Sequence, residues 1–210
     1  LSEIYVPDSS NGVVSGARVY DFYETLRASG YPMRTEKIDY DNDLNAYDLT
    51  NDIKRCKGLV KAADNDNAAH GQFLSGILVS FDLTFTVKAW TEAERYKFVY
   101  FISSQSSMHR IAKFDFDTCF DDHVDWRCKA VIRELVNKYN DETDPEKKKE
   151  NYLKLLYSCP TGLKLTARVT TNYRCLRNIY KQRKTHRLPE WRIFCGWLEL
   201  LPRAEDFIIN

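Results

Sequence analysis

Ile77-Leu-Val-Ser-Phe-Asp-Leu-Thr-Phe-Thr86 is the most regular stretch of this 210-residue chain. Ile77, Val79, Phe81, Leu83 and Phe85 alternate with Leu78, Ser80, Asp82, Thr84 and Thr86, and a period of two sets one row on a buried sheet face. Most other apolar patterns have the helical period. Upstream, Val19, Phe22, Tyr23 and Leu26 predict a helix from Ala17 to about Ala28, ended by Gly30. Leu49, Ile53, Leu59 and Val60 predict another from about Tyr47 to Ala63, with a loop over Asp64-Asn-Asp-Asn67. Residues 31–45 read as irregular, and the turn-rich first 16 as loosely ordered. Downstream, Thr91 and Glu94 have capping-box spacing and predict a helix through Phe98, Phe101 and Ile102. Asp125 caps a helix burying Val131, Ile132, Leu135 and Val136 up to Tyr139. Asp144-Pro145 opens one down to Tyr157. Lys164–Val169 reads as a short strand or a helix entry. Two last helices follow over about Thr171–Lys184 and Leu188–Leu201, with Pro202 as a stop. The pattern is α+β, helix-rich with a small, mostly antiparallel sheet, in a single domain over 1–210.

Composition narrows the function classes. Lys and Arg number 31 against 30 Asp and Glu, a net charge of +1, and 43% of residues are hydrophobic. That balance argues against a uniformly basic nucleic-acid binder. The 13% aromatic content argues against disorder. No run of 18 apolar residues is present to span a membrane, and Leu1–Ser10 lacks the apolar core of a signal peptide. The expectation is a soluble, globular, cytoplasmic protein.

The six cysteines (56, 119, 128, 159, 175 and 195) include no CxxC pair, which argues against zinc-ribbon or thioredoxin chemistry. Free thiols are expected, with Cys128, Cys175 and Cys195 among apolar neighbours. The four histidines are dispersed, and HExxH, GxSxG, GxGxxG and Walker A patterns are absent. His123, among Asp121, Asp122 and Asp125, could suggest a metal, but these carboxylates also suit a helix start.

Two segments stand apart. Ser103-Ser-Gln-Ser-Ser-Met-His-Arg-Ile111 gathers hydroxyls, an imidazole and a guanidinium, a plausible anion site; a solvated helix end is the plainer reading. Between Asn172 and Arg192 stand seven Lys or Arg (Arg174, Arg177, Lys181, Arg183, Lys184, Arg187, Arg192) against Glu190, a local +6. On a helix, Arg174, Asn178 and Lys181 share one face while Leu176, Ile179 and Tyr180 turn to the core. Concentrated positive charge in a balanced chain meets phosphates, carboxylates or acidic neighbours of its own. Nucleic acid is a competitor, with Tyr173 and Tyr180 for stacking, but no RRM, KH or zinc-finger spacing accompanies the patch.

Together these segments resemble the flavin-dependent thymidylate synthases, the ThyX family. That family carries Arg-His-Arg with a Gln three residues before it and a Ser eight after. Here Gln105-Ser-Ser-Met108-His109-Arg110-Ile111 stands in that place, and Thr118 falls at the Ser. The family's C-terminal Asn, Arg, Asn, Arg spacing is reproduced by Asn172, Arg174, Asn178 and Arg183. Pro160 matches a Pro twelve residues before the first Asn, and His70-Gly71 precedes the strand where the family has a His-rich turn. The resemblance covers residues 55–201 and suggests a divergent member, of the kind a phage or mobile element carries.

The resemblance implies a reductive methylation of dUMP or a related pyrimidine deoxynucleotide, with FAD as cofactor and NADPH and methylene-tetrahydrofolate as co-substrates. It implies cofactor contacts at His109, Arg110, Ile111, Asn172, Arg174 and Asn178. It implies nucleotide contacts at Gln105, Thr118 and Arg183, with Arg183 also acting on the pyrimidine ring as the catalytic residue. It implies a homotetramer; the residues themselves point to no metal. Departures bear on the reaction: Met108 replaces the first Arg of the motif, Phe120 and Leu156 replace two nucleotide-binding arginines, and Phe116 replaces a Glu. Lys113, Arg177 or Arg187 could compensate. The alternative is a non-catalytic nucleotide- or nucleic-acid-binding module retaining the fold.

Overall fold

The computed structural model describes residues 1–40, 49–65 and 68–209. Among the described residues, five strands form one sheet in the order β1-β2-β3-β5-β4: β1 Glu3–Val6, β2 Val14–Tyr20, β3 Leu78–Thr86, β4 Tyr100–Ser104 and β5 Lys164–Asn172. β1 pairs antiparallel with β2, and β2 with β3, through partners such as Val19↔Val79 and Val14↔Leu83. The helices are α1 Phe22–Ala28, α2 Thr50–Asn65, α3 Val87–Ala93, α4 Ser107–Arg110, α5 Trp126–Asp141, α6 Pro145–Ser158, α7 Tyr173–Arg183, α8 Pro189–Leu198 and α9 Ala204–Phe207. A 3-10 segment over Ala68–Ser75 precedes β3. This is the expected helix-rich α+β fold.

The described chain divides into two compact units, one of Leu1–Leu83, Tyr96–Ile102 and Arg168–Asn210, the other of Thr84–Arg95 and Ser103–Ala167. In the first, Val79, Phe81 and Leu83 of β3 are buried as the alternation requires, as is Ile77 just before the strand, with Ile77 and Val79 at 0% exposure. Phe81 meets Phe194 at 5.7 Å and Trp197 at 5.2 Å, and the latter two rings stack. Truncating buried rings of this kind costs about 3–5 kcal/mol each. In the second, Ile111, Phe120, Ile132, Val136, Leu155 and Leu163 form the core, covered by α5 and α6. Asp125 and Asp144 cap those helices as read, accepting from the Arg127 and Lys147 amides. Among the residues expected inward on α5, Ile132 and Val136 are buried, whereas Val131 is exposed.

The first twenty residues depart from the sequence reading. They form β1 and β2, not a loose lead-in and a helix from Ala17. Ala17 and Val19 are buried while Arg18 and Tyr20 are not, a period of two that four residues cannot distinguish from a helical turn. A register shift between Ser15 and Arg18 puts Gly16 at φ +58°, a backbone region that glycine enters without a Cβ penalty. Asp21, also left-handed at φ 58°, turns the chain from strand into helix.

α2 runs two residues past the expected end, so Asp64 and Asn65 are helical; Tyr47, Asp66 and Asn67 lie outside the described residues. Its buried row is Asp52, Cys56 and Val60, with Leu49 and Ile53 only half-buried. The capping signal at Thr91 is also corrected. Thr86 caps α3 by accepting from the Ala89 amide, whereas the Thr91 hydroxyl donates back to the Lys88 carbonyl within the helix. Phe101 and Ile102 then belong to β4, whose five residues are all exposed. Lys164–Val169 resolves as part of the nine-residue β5. The six cysteines are free thiols; Cys175 and Cys195 are buried, but Cys128 is exposed on α5.

Candidate functional site

In the first unit the Asn172–Arg183 spacing maps onto the start and length of α7. β5 ends at Asn172, whose side chain accepts from the Cys175 amide at 2.9 Å and caps the helix. The next amide, Tyr173, donates to the Ile77 carbonyl at 3.1 Å, and its buried ring fixes the helix start against the core. Arg174 donates to the Gln72 side-chain oxygen and, at 3.2 Å, to the Ala68 carbonyl. Arg174 therefore holds the 3-10 segment that walls a cavity of about 640 Å³. Thr25, Ser29, His70, Gln72 and Ser75 line it alongside the apolar Ala28, Pro32, Leu59 and Phe73. No carboxylate lines it among the described residues.

Much of the local +6 is met within the fold. Arg177, 7% exposed, pairs with Asp64, which Lys181 also reaches at 2.6 Å. Burial opposes ionisation of Asp64, but hydrogen bonds from Lys181 and Arg177 outweigh it and hold the carboxyl below its ordinary value. Arg177 is thus engaged in an internal ion pair and is a poor substitute for a missing phosphate ligand. Asn178 is exposed beside Lys181 as the helical face predicts. Arg183 is half-buried: its guanidinium lies 4.9 Å from the Trp191 ring centroid, its Nε donates to the Tyr96 hydroxyl at 2.8 Å, and one terminal nitrogen is 2.8 Å from His186 Nε2.

In the second unit, Gln105 extends strand pairing with β5. Its amide donates to the Thr166 carbonyl, and its side-chain oxygen accepts from the Thr166 amide, both at 2.9 Å. Ser106 caps α4, accepting from the His109 amide at 3.3 Å. His109 and Arg110 are exposed, and among the described residues no hydrogen bond or ion pair engages the Arg110 guanidinium. Ile111 is fully buried and anchors the motif in the core. Thr118 donates to Asp115 at 2.9 Å, and Asp115 also accepts from the Asp117 amide. These two hydrogen bonds hold the Asp115 carboxyl below its ordinary value, the Asp117 amide contributing most.

Three departures from the resemblance, Phe120, Phe116 and Met108, have structural roles. Phe120 is 2% exposed in the unit core, 5.8 Å from the Phe116 ring, so neither position presents a charge. Met108 is exposed, and its carbonyl accepts from the Tyr152 hydroxyl at 2.7 Å. Of the proposed substitutes, Lys113 and Arg187 are exposed.

Gln72 could have been found, because it follows the His70-Gly71 pair already matched to a family turn. Tyr96 and Trp191 carried no such signal, since only the tertiary fold brings them to Arg183.

This architecture is a ThyX-like fold, the fold of flavin-dependent thymidylate synthases. The ThyX of Helicobacter pylori complexed with FAD and dUMP superposes with a TM-score of 0.62 at 14% identity, covering 91% of this chain and 95% of its own. A second structure of Helicobacter pylori ThyX, also with FAD and dUMP, gives 0.59 at 14% identity, with 89% and 91% covered. A UMP/dUMP methylase, PolB from Streptomyces cacaoi bound with 5-Br dUMP, gives 0.57 at 14% identity over the same shares. No family model matches the sequence, and no curated protein matches it at the sequence level.

Proposed function

We propose that this protein binds FAD and a pyrimidine deoxynucleotide and catalyses reductive methylation of dUMP or a related nucleotide, using NADPH and methylene-tetrahydrofolate. The observation that carries the reading is that Asn172, which caps α7, and Arg174, Asn178 and Arg183 along it keep the spacing of the resemblance in a chain with the ThyX-like fold.

The donors present fit the cofactor. Asn178, exposed on α7, presents amide donors suited to a cofactor's carbonyl or phosphate oxygens. Exposed Arg110 and His109 suit a diphosphate. The resemblance assigns FAD contacts to Asn172, Arg174 and Asn178 in the first unit, and to His109, Arg110 and Ile111 in the second, where Ile111 fixes the motif to that unit's core. Bound FAD would supply redox chemistry, with the transferred carbon coming from the folate. Gln105 and Thr118 orient the nucleotide. Arg183, its guanidinium preset by Tyr96 and Trp191, stabilises negative charge that develops on the pyrimidine as it becomes nucleophilic. A homotetramer belongs to the same proposal.

The test is turnover of dUMP with FAD, NADPH and methylene-tetrahydrofolate. Arg183→Ala should slow deoxythymidylate formation about 100-fold or more while retaining FAD binding and the far-UV spectrum. Equal turnover by variant and wild type would remove Arg183 from the mechanism.

A second reading has a specific observation behind it. Phe120, where the resemblance expects a phosphate-binding Arg, is core. A non-catalytic nucleotide-binding or nucleic-acid-binding module would retain the fold and ligand affinity and show no turnover under any condition.

A further inference from the structure

Arg183 and Asn178, assigned above to nucleotide and cofactor respectively, are joined by a continuous hydrogen-bond chain. Arg183 Nε donates to Tyr96 Oη at 2.8 Å. The Tyr96 hydroxyl donates to Gln182 Oε1 at 2.9 Å. Gln182 Nε2 donates to Asn178 Oδ1 at 3.0 Å. The direction follows from the groups themselves. A guanidinium has no acceptor, so the Tyr96 oxygen accepts from it and the one phenolic proton goes to Gln182. The Gln182 oxygen is then an acceptor, so its amide nitrogen faces Asn178, whose own oxygen must accept. The Asn178 amide nitrogen is left as a donor on an exposed residue. At the other end Trp191, 1% exposed, backs the guanidinium, and the Tyr96 ring packs 6.0 Å from the Trp191 ring.

We infer that Tyr96 and Gln182 are positioning residues that couple the two ligands through this chain. The inference rests on the proposed assignment of Arg183 to the pyrimidine nucleotide and Asn178 to FAD. An anionic or carbonyl oxygen that engages the pre-positioned Arg183 guanidinium polarises the chain and so changes the hydrogen bond that orients the Asn178 amide. The second ligand then meets an Asn178 donor already oriented and loses less conformational freedom in binding. Coupling of this kind is reciprocal: dUMP tightens FAD by the factor by which FAD tightens dUMP.

The experiment is a fluorescence titration of the full chain with FAD, with and without saturating dUMP, on wild type, Tyr96→Phe and Gln182→Leu. Tyr96→Phe keeps the ring that packs on Trp191, and Gln182 is exposed, so both variants should fold; circular dichroism checks this. In the wild type, dUMP should tighten FAD about 10-fold. In each variant that factor should fall below about 2-fold, although each ligand still binds alone. A purely structural role would weaken both ligands or lower the melting temperature without changing the factor. Coupling retained in both variants, or a wild type that binds both ligands without coupling, overturns the inference and leaves the proposed function standing. A wild type that binds neither ligand overturns the proposed function, and this inference with it.

Discussion

At the scale of single residues, Asp64 shows how the basic helix is accommodated. It sits at the end of α2 and receives Arg177 and Lys181, one turn apart on α7. Arg177 is the demanding partner, because it is buried and its other terminal nitrogen has no hydrogen bond among the described residues. Asp64→Asn leaves a buried cation without a counter-charge, a loss of about 2 kcal/mol, moderated because Asp64 is itself 37% exposed. Thermal melts should show a fall of about 4–8 °C. An unchanged melting temperature would mean that the pair contributes nothing. This pairing was not legible in the sequence. The +6 could be counted, but its acidic partner lies 113 positions from Arg177, and periodicity along α7 carries no information about α2.

At the scale of elements, the first strand depends on one carboxylate. Glu24, in α1 and 8% exposed, accepts from the Ser2 amide at 2.6 Å and the Ser2 hydroxyl at 2.5 Å. Burial opposes its ionisation, but the hydrogen bonds from Ser2 outweigh it and lower the pKa. A carboxylate whose folded pKa is depressed contributes its full stability above the unfolded value, about 4.3 for glutamate, and loses it as the pH falls through the folded value. The hydrogen-exchange protection factors of the β1 amides, taken relative to the intrinsic rate at each pH, should therefore fall on acidification from that value downward, and Glu24→Gln should flatten the dependence. Acid-insensitive β1 protection in the wild type would refute the role.

Legibility varied from element to element for physical reasons. β3 could be read because it alternates over nine residues, and α5 and α6 because Asp caps and Pro145 mark their starts. β2 could not, since its pattern blends into that of α1 across Asp21. β4 could not, since an edge strand with every residue exposed has no alternation to read.

For the whole molecule, a net charge of +1 conceals an uneven distribution, and the fold shows where the local excess goes. Arg177 and Lys181 meet Asp64, Arg174 braces the cavity wall, and Arg183 is clamped by aromatic rings. Of the rest, Arg192 donates to the His186 and Arg187 carbonyls, and Lys184 and Arg187 are exposed, so little of the excess forms a continuous basic surface. The α7 part of the candidate site was legible because its spacing lies along one helix. The surroundings of Arg183 were not, because Tyr96 comes from a segment 87 residues away. The most direct measurement of the central claim is an absorbance titration of the purified chain with FAD in the presence of dUMP. Saturable binding at about one flavin per chain, with perturbed flavin bands, is expected. An unperturbed, non-saturating flavin spectrum would contradict it.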